Sequence, residues 1–288
     1  MTAHPLLLDA LLLPLPQASD AWREWRSAID IEQLDHASVH FLPALAGQLP
    51  GWLLNDPKQA IFLGICRRAW ARNQVVRKLL SDTIGLLNAA GIERAAVTGP
   101  ADWSARFWPD GAIRPLGRLD LLVEPAAVRA AIAVLADAGW VAAGAIPDTA
   151  GSKFYFAPGI RWRSPSGDDL RLHWRALPNT DLALRRPVLP ACEQMIPVEY
   201  SLVAALGGMC EDEIDWQCDA LLISRQAGIR WEKVTGLLRW RTKARERLEE
   251  LRRQWNVEIP HAVSGTRWTG PAERLLATAL RAYRRSRL

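Results

Sequence analysis

The sequence has little of what marks several common protein classes. It holds only four Cys, namely Cys66, Cys192, Cys210 and Cys218, with no CxxC pair among them, and none of its five His lies at metal-ligand spacing from any of the four. That pattern argues against a disulfide scaffold or a zinc ribbon and favours a reduced, cytoplasmic protein. No apolar run reaches the roughly 18 residues that a membrane span needs. The leucine-rich stretch Leu6–Leu13 lacks a basic flank, is cut by Asp9 and is followed by Pro14 and Pro16, so a soluble chain without a signal peptide is expected. Neither GxGxxG nor GxxxxGK[ST] occurs, which leaves P-loop and Rossmann readings unsupported. There is no internal repeat and no low-complexity segment.

What is present is a chain of 288 residues, 49% hydrophobic and 23% charged. That is enough to bury a core in one large domain or two closely joined ones, and it excludes wholesale disorder. The net charge of +5 conceals a split: Arg225–Leu288 carries 16 basic and six acidic residues, a balance of +10, which leaves −5 for residues 1–224. A basic tail section fits nucleic acid, anionic lipid, a phosphate-rich ligand, or simply a solvated helical surface. Of the 36 basic residues 31 are Arg. Fourteen Trp stand out as well. Trp103 and Trp108 flank the most informative segment, where they would serve either as base-stacking platforms or as core anchors.

Residues 1–90 read as helical. Ser19-Asp20 is the expected cap of a helix containing Trp22 and Trp25, and Asp56-Pro57 opens a longer segment. From about Gln59 to Ala90, Ile61, Cys66, Ala69, Val75, Leu79, Leu80, Ile84 and Leu87 predict one long amphipathic helix, with Arg67, Arg68, Arg72 and Lys78 on its wet side. Residues 91–180 change character. Ala95–Val97, Leu119–Val123, Trp140-Val141, Phe154–Phe156 and Leu170–Trp174 read as strands, and Pro125 starts a helix that runs to Ala138. This describes an α/β (α+β) core with a small mixed sheet. Residues 181–288 return to helix, with candidates at 198–211, 216–226, 231–254 and 271–285.

The segment Arg114-Pro115-Leu116-Gly117-Arg118-Leu119-Asp120-Leu121-Leu122-Val123 concentrates the functional signal. Side chains alternate along a strand, so Arg118 and Asp120 share a face, as do Asp169, Arg171 and His173 on the later strand. If the two strands are neighbours, five polar groups gather on one sheet face, where burial without partners would cost several kcal/mol. A lone Asp in a strand also has a purely structural use, as a helix cap or an arginine partner.

In these residues the chain resembles the uncharacterised nucleotidyltransferase-like family of bacteria, within the DNA-polymerase-β-like nucleotidyltransferase superfamily. The similarity covers nearly the full length. It runs through Ala21–Trp25, Leu34-Asp35-His36, Arg68–Gln74, Ala89–Ile92, Trp108-Pro109-Asp110, Arg114–Gly117, Leu119–Val123, Leu172-His173-Trp174, Trp216–Ala220 and Ile229–Glu232. The resemblance implies a polymerase-β-like core between helical regions. It also implies transfer of a nucleotidyl group from ATP or another NTP, with Mg²⁺ held by an Asp-x-Asp pair and a third carboxylate on the adjacent strand. On that pattern Asp120 is the one matched metal ligand, with Asp169 and His173 as further catalytic candidates. Thr98, Gly99, Arg114, Gly117, Arg118 and Arg171 are the candidates for nucleotide or anion binding.

The chain departs from the pattern where it matters. Arg118 stands at the first acid of the Asp-x-Asp pair, Arg171 stands where an acid is common, and Thr98 replaces Lys before Gly99. Arg cannot ligate a cation. Asp169, on the correct face, is the better substitute for the missing carboxylate than Asp168. Three outcomes stay open. The first is ordinary transfer with Mg²⁺. The second is a pseudoenzyme that binds a nucleotide or another small anion without metal, or serves a protein or peptide partner in a biosynthetic or toxin–antitoxin pathway. The third is a cleft in which the arginines only neutralise the acids. A nucleic-acid partner is not expected. Although Arg239–Arg247 interleaves base and aromatic, Glu246, Glu249 and Glu250 fall at helical spacing from Arg245, Arg252 and Arg253, as on an ordinary salt-laced surface.

Overall fold

The computed structural model describes residues 4–146, 148, 159–177, 196–208, 214, 216–239, 241–255, 257 and 259–260. The chain starts with helices α1 (Pro5–Leu12), α2 (Leu15–Ala28), α3 (His36–Phe41), α4 (Leu49–Trp52) and the long α5 (Gln59–Ala89). Strand β1 (Ala96–Val97) and helix α6 (Pro100–Arg106) lead to β2 (Arg118–Leu122), α7 (Val128–Asp137), β3 (Val141–Ala142), β4 (Gly159–Arg163) and β5 (Asp169–His173). Helices α8 (Val198–Gly207), α9 (Trp216–Ser224), α10 (Trp231–Leu238) and α11 (Thr242–Trp255) follow. The architecture is therefore mixed α/β, with a five-stranded mixed sheet between helical regions. Among the described residues no helix is long and apolar enough to cross a membrane.

The strands run in the order β1-β2-β5-β4-β3. The centre of the sheet is the parallel pair β2–β5, flanked by antiparallel β1 and β4. A parallel pair needs a crossover, and here the chain between β2 and β5 supplies it through α7 and the β3–β4 hairpin. One sheet face is apolar, with Leu119, Leu121, Ile160, Trp162, Leu170 and Leu172 all buried. It packs on Val76 and Leu87 of α5 and on Val128, Ala131 and Leu135 of α7. That leaves the other face for the polar set.

A second core joins the described helices before and after the sheet. Leu7, Trp22, Trp25, Phe41, Phe62 and Cys66 from the first five helices share it with Leu202, Leu206, Leu221, Val234 and Leu248 from the last four. At its centre Trp22 stacks on Trp52 at 5.8 Å between ring centroids and meets Phe62 edge-on at 5.6 Å. Helix α5 thus serves both cores, Phe62 and Cys66 in one and Val76 and Leu87 in the other. The apolar run Leu6–Leu13 is explained by burial: Leu7, Leu8, Leu11 and Leu12 all lie in this core.

Several local expectations need correction. Ser19 and Asp20 do not cap α2; the helix begins at Leu15 behind Pro14, and Asp20 lies inside it, paired to Arg23. Proline at the start of the helix sets φ and lacks the amide that would otherwise go unbonded, so Pro16 moves the start forward. The buried side of α5 is Phe62, Cys66, Asn73, Val76, Thr83 and Leu87, whereas Ile61 and Val75 are exposed. The apolar count includes Cys66 and Leu87 but passes over Asn73 and Thr83, which are polar. The stretch 231–254 is two helices rather than one, and the side chain of Arg241 closes the first by donating to the Leu237 carbonyl. Strand β4 was not foreseen. The expected strand Phe154–Phe156 and helix 271–285 lie outside the described residues.

Candidate functional site

The register of β2 and β5 brings the five polar residues onto one face. Arg118 lies opposite Asp169, Asp120 opposite Arg171, and Leu122 opposite His173. Strand β4 extends the same face, with Arg163 opposite Asp169, Arg161 opposite Arg171 and Gly159 opposite His173. Four arginines, two aspartates and one histidine therefore share a surface that is buried at β2 and exposed at β4.

Asp120 is the most deeply placed of them, 1% exposed. Its Oδ2 accepts from Arg118 Nε at 2.9 Å, and its Oδ1 lies 2.7 Å from His173 Nε2. A carboxylate only accepts, so the proton of the second bond sits on Nε2. The other ring nitrogen, His173 Nδ1, is buried without a hydrogen-bond partner. Gly159 lies against it: a Cβ there would sit 3.1 Å from Nδ1 and would collide with the Leu172 carbonyl oxygen.

Thr98 and Gly99 close the site from the β1 side. The Thr98 amide donates to the Asp120 carbonyl at 3.0 Å. Gly99 has φ of +67°, and a Cβ there would stand 3.2 Å from Asp120 Oδ2. Both the left-handed backbone and the close approach select glycine. Helix α6 starts at the next residue and buries Asp102, whose carboxyl is pushed up to about 6 by desolvation, against the opposing effect of Arg106. Gly117 is exposed just ahead of β2.

The remaining acids are not available to Asp120. Asp169 is exposed and pairs with Arg163 at 3.5 Å. Asp168 is held by Arg72 of α5 at 2.7 Å. Burial works to raise its pKa, but hydrogen bonds from Ser166 and Arg72 outweigh that and hold the carboxyl below its ordinary value. Magnesium needs several hard oxygen ligands in near-octahedral array. Here the two oxygens of Asp120 are committed to Arg118 and His173, and fixed positive charge occupies the neighbouring positions. Among the described residues no three His, Cys, Asp or Glu are grouped so as to hold a metal. The donor set does not fit a magnesium ion.

Three candidate residues are placed elsewhere. Arg114, a candidate for anion binding, is fully buried and forks onto Asp219 of α9, with Nε to Oδ1 at 2.9 Å and Nη2 to Oδ2 at 2.7 Å. Trp108 donates to the same Asp219 Oδ1 at 2.9 Å, and Trp103 is 1% exposed. Both tryptophans are core residues, with no face open to a base. Behind them, Asn73 of α5 fixes the approach to β2. Its Nδ2 donates to the Arg114 carbonyl at 2.7 Å, and its Oδ1 accepts from the Leu116 amide at 2.9 Å.

The expectations from sequence omitted Asn73, Gly159, Arg161, Arg163 and Asp219 from the site and its supports. For β4 a signal was there to find: Gly159-Ile160-Arg161-Trp162-Arg163 alternates polar and apolar with period two. For Asp219 there was none, because its partner is 105 residues away.

Comparison with protein families gives one match, to a family described as an uncharacterised nucleotidyltransferase, over residues 47–205. That span contains the whole sheet and every residue on its polar face. Comparison with curated proteins gives no match.

Proposed function

The chain belongs to this uncharacterised nucleotidyltransferase family, and from that premise we propose that its cleft binds the phosphates of a nucleotide, or a similar small anion, without a metal at Asp120. Family membership supports a nominal nucleotidyltransferase role. The observation that carries the narrower reading is the double engagement of Asp120 by Arg118 and His173 inside the protein. A buried carboxylate with both oxygens so committed is a poor ligand for an incoming cation. The ionised guanidinium beside it supplies the positive charge that a metal would otherwise bring.

The chemistry of the face agrees. Four guanidinium groups against two carboxylates leave an excess of positive charge, and arginine forks match phosphate oxygens two at a time. Among the described residues of this face no acid is free to deprotonate an attacking hydroxyl: Asp120 is committed, and Asp169 sits one strand repeat away beside Arg163. The protein is then a pseudoenzyme that reads a phosphate ligand rather than transferring it.

Calorimetric titration with ATP and with GTP tests this, run once in EDTA and once in Mg²⁺, alongside a turnover assay with labelled nucleotide. The expected result is binding in EDTA, little changed by Mg²⁺, without turnover. Strictly Mg²⁺-dependent binding with turnover would restore the transferase. Absence of binding in both conditions would leave the arginines as mere neutralisers of the two acids.

A further inference from the structure

His36 and His40 stand one turn apart on α3, ahead of the residues matched by the family. Side chains at i and i+4 share a helix face. Here the two imidazoles meet, with ring centroids 4.1 Å apart and planes inclined at 46°. His36 is exposed and His40 half-buried. His40 Nδ1 lies 3.0 Å from the His36 carbonyl oxygen. A carbonyl oxygen only accepts, so Nδ1 carries the proton, and the lone pair of the neutral ring is on Nε2. Among the described residues nothing bonds to that Nε2, nor to either ring nitrogen of His36. Histidines that bind metal are commonly oriented in this way, with the other ring N–H given to a carbonyl or carboxylate.

We infer that His36 and His40 chelate one divalent transition-metal ion of the zinc and nickel class, through His40 Nε2 and a ring nitrogen of His36. Imidazole suits such ions, whereas magnesium and calcium take oxygen ligands. Two histidines at i, i+4 present both rings to one zinc from a single helix face, with Zn–N distances of about 2.0–2.1 Å. Asp35, at the head of α3, adds no ligand. Its Oδ1 accepts from the Ser38 amide at 2.9 Å and its Oδ2 from the Ser38 hydroxyl at 2.6 Å. The protein therefore supplies two ligands and water completes the shell, so the ion exchanges freely, unlike a four-ligand structural zinc. Helix α3 also buries Phe41 in the second core. An ion that clamps its first turn then stabilises the folded state. The inference is independent of the anion reading of the sheet cleft.

Calorimetric titration of the intact protein with Zn²⁺, Ni²⁺ and Mg²⁺, without chelator and with the cysteines kept reduced, tests it. The wild type is compared with His36→Ala, His40→Ala and, as a control, His4→Ala; melts without metal check that each is folded. His36 is exposed, so His36→Ala remains decisive if His40→Ala does not fold. The expected result is one equivalent of Zn²⁺ or Ni²⁺ bound, and no Mg²⁺. His36→Ala and His40→Ala should each weaken binding at least about tenfold, and His4→Ala less than about threefold. Zn²⁺ should raise the melting temperature of the wild type but not of the two α3 variants. Wild-type affinity in either folded α3 variant would overturn the chelate and place the metal at a cysteine or another histidine. Equal binding of Mg²⁺, or no binding of Zn²⁺ and Ni²⁺ by the wild type, would overturn it as well.

Discussion

Arg118 and Asp120 sit two residues apart on strand β2, so their side chains share a face, and the guanidinium Nε closes on the carboxylate at 2.9 Å. The family pattern pairs two acids at this spacing; here an acid is paired with a base, and the attraction is satisfied within the strand itself. Breaking a buried ion pair by removing one partner costs about 3–5 kcal/mol, because the survivor is left uncompensated. Arg118 therefore stabilises the carboxylate that the family resemblance would make a metal ligand.

Replacing the arginines with acids should reverse the site's preference. In the double variant Arg118→Asp, Arg171→Glu, the two new carboxylates join Asp120 and Asp169, and the four repel one another on one face until a divalent cation binds. Thermal melts with and without millimolar Mg²⁺ should show no shift for wild type and a clear rise for the double variant, as expected for a ligand that binds only the folded state. A Mg²⁺-dependent rise in wild type would show that Asp120 is open to metal after all.

Asn73 offers a test of how the loop before β2 is held. Asn73→Ala leaves the Arg114 carbonyl and the Leu116 amide without their buried partner, and each unsatisfied group costs about 1–3 kcal/mol. Denaturant unfolding should show a loss of roughly 2–4 kcal/mol. Hydrogen exchange should report the same change locally, as faster exchange of the Leu116 amide than the global loss accounts for.

How much of this was legible in the sequence depends on how far apart the partners lie. The polar face followed from alternation alone, since Arg118, Asp120, Asp169, Arg171 and His173 fall at period two. The β2–β5 register then brought them together. The sequence did not show which atom meets which. Nothing in it distinguishes an Asp120 that waits for a metal from one already held by Arg118. Arg114 looked like a site residue because it stands beside the motif. Its counter-charge, Asp219, comes from α9, and no local pattern predicts that pairing. The buried side of α5 was only partly legible because a count of apolar positions passes over Asn73 and Thr83. Both are inside because the hydrogen-bond partners are inside: Asn73 serves the loop, and Thr83 donates to the Leu79 carbonyl at 2.7 Å.

The carboxyl of Asp102 makes a prediction about pH. Its ordinary value is 3.8, and burial raises it to about 6 in the folded protein. The folded state then holds this proton more tightly than the unfolded state does. Its contribution to stability is greatest below the unfolded value and is lost as pH climbs through the folded one. Asp102→Asn should flatten the stability profile between about pH 4 and pH 6 and recover up to roughly 3 kcal/mol at neutral pH, less the loss of the Arg106 contact. Urea midpoints across that range check it, and an unchanged slope would mean that another group titrates there.

The fork between Arg114 and Asp219 separates stability from ligand binding. Both side chains are buried, at 0% and 2% exposure, and Trp108 shares the carboxylate. Arg114→Ala or Asp219→Ala alone strands a charge in the core and should each cost about 3–5 kcal/mol in urea unfolding. The paired replacement Arg114→Met, Asp219→Leu removes both charges at once. Apolar pairs of similar volume often replace buried ion pairs at little cost, so the double variant should lose far less than the two single losses added together. The residual penalty is about 1–3 kcal/mol for the Trp108 Nε1 left without an acceptor. Because the fork joins the loop before β2 to α9, and not to the polar face of the sheet, that folded double variant should bind ATP with wild-type affinity. If its affinity falls about tenfold or more, Arg114 belongs to the anion site and its role as a support between loop and helix is wrong.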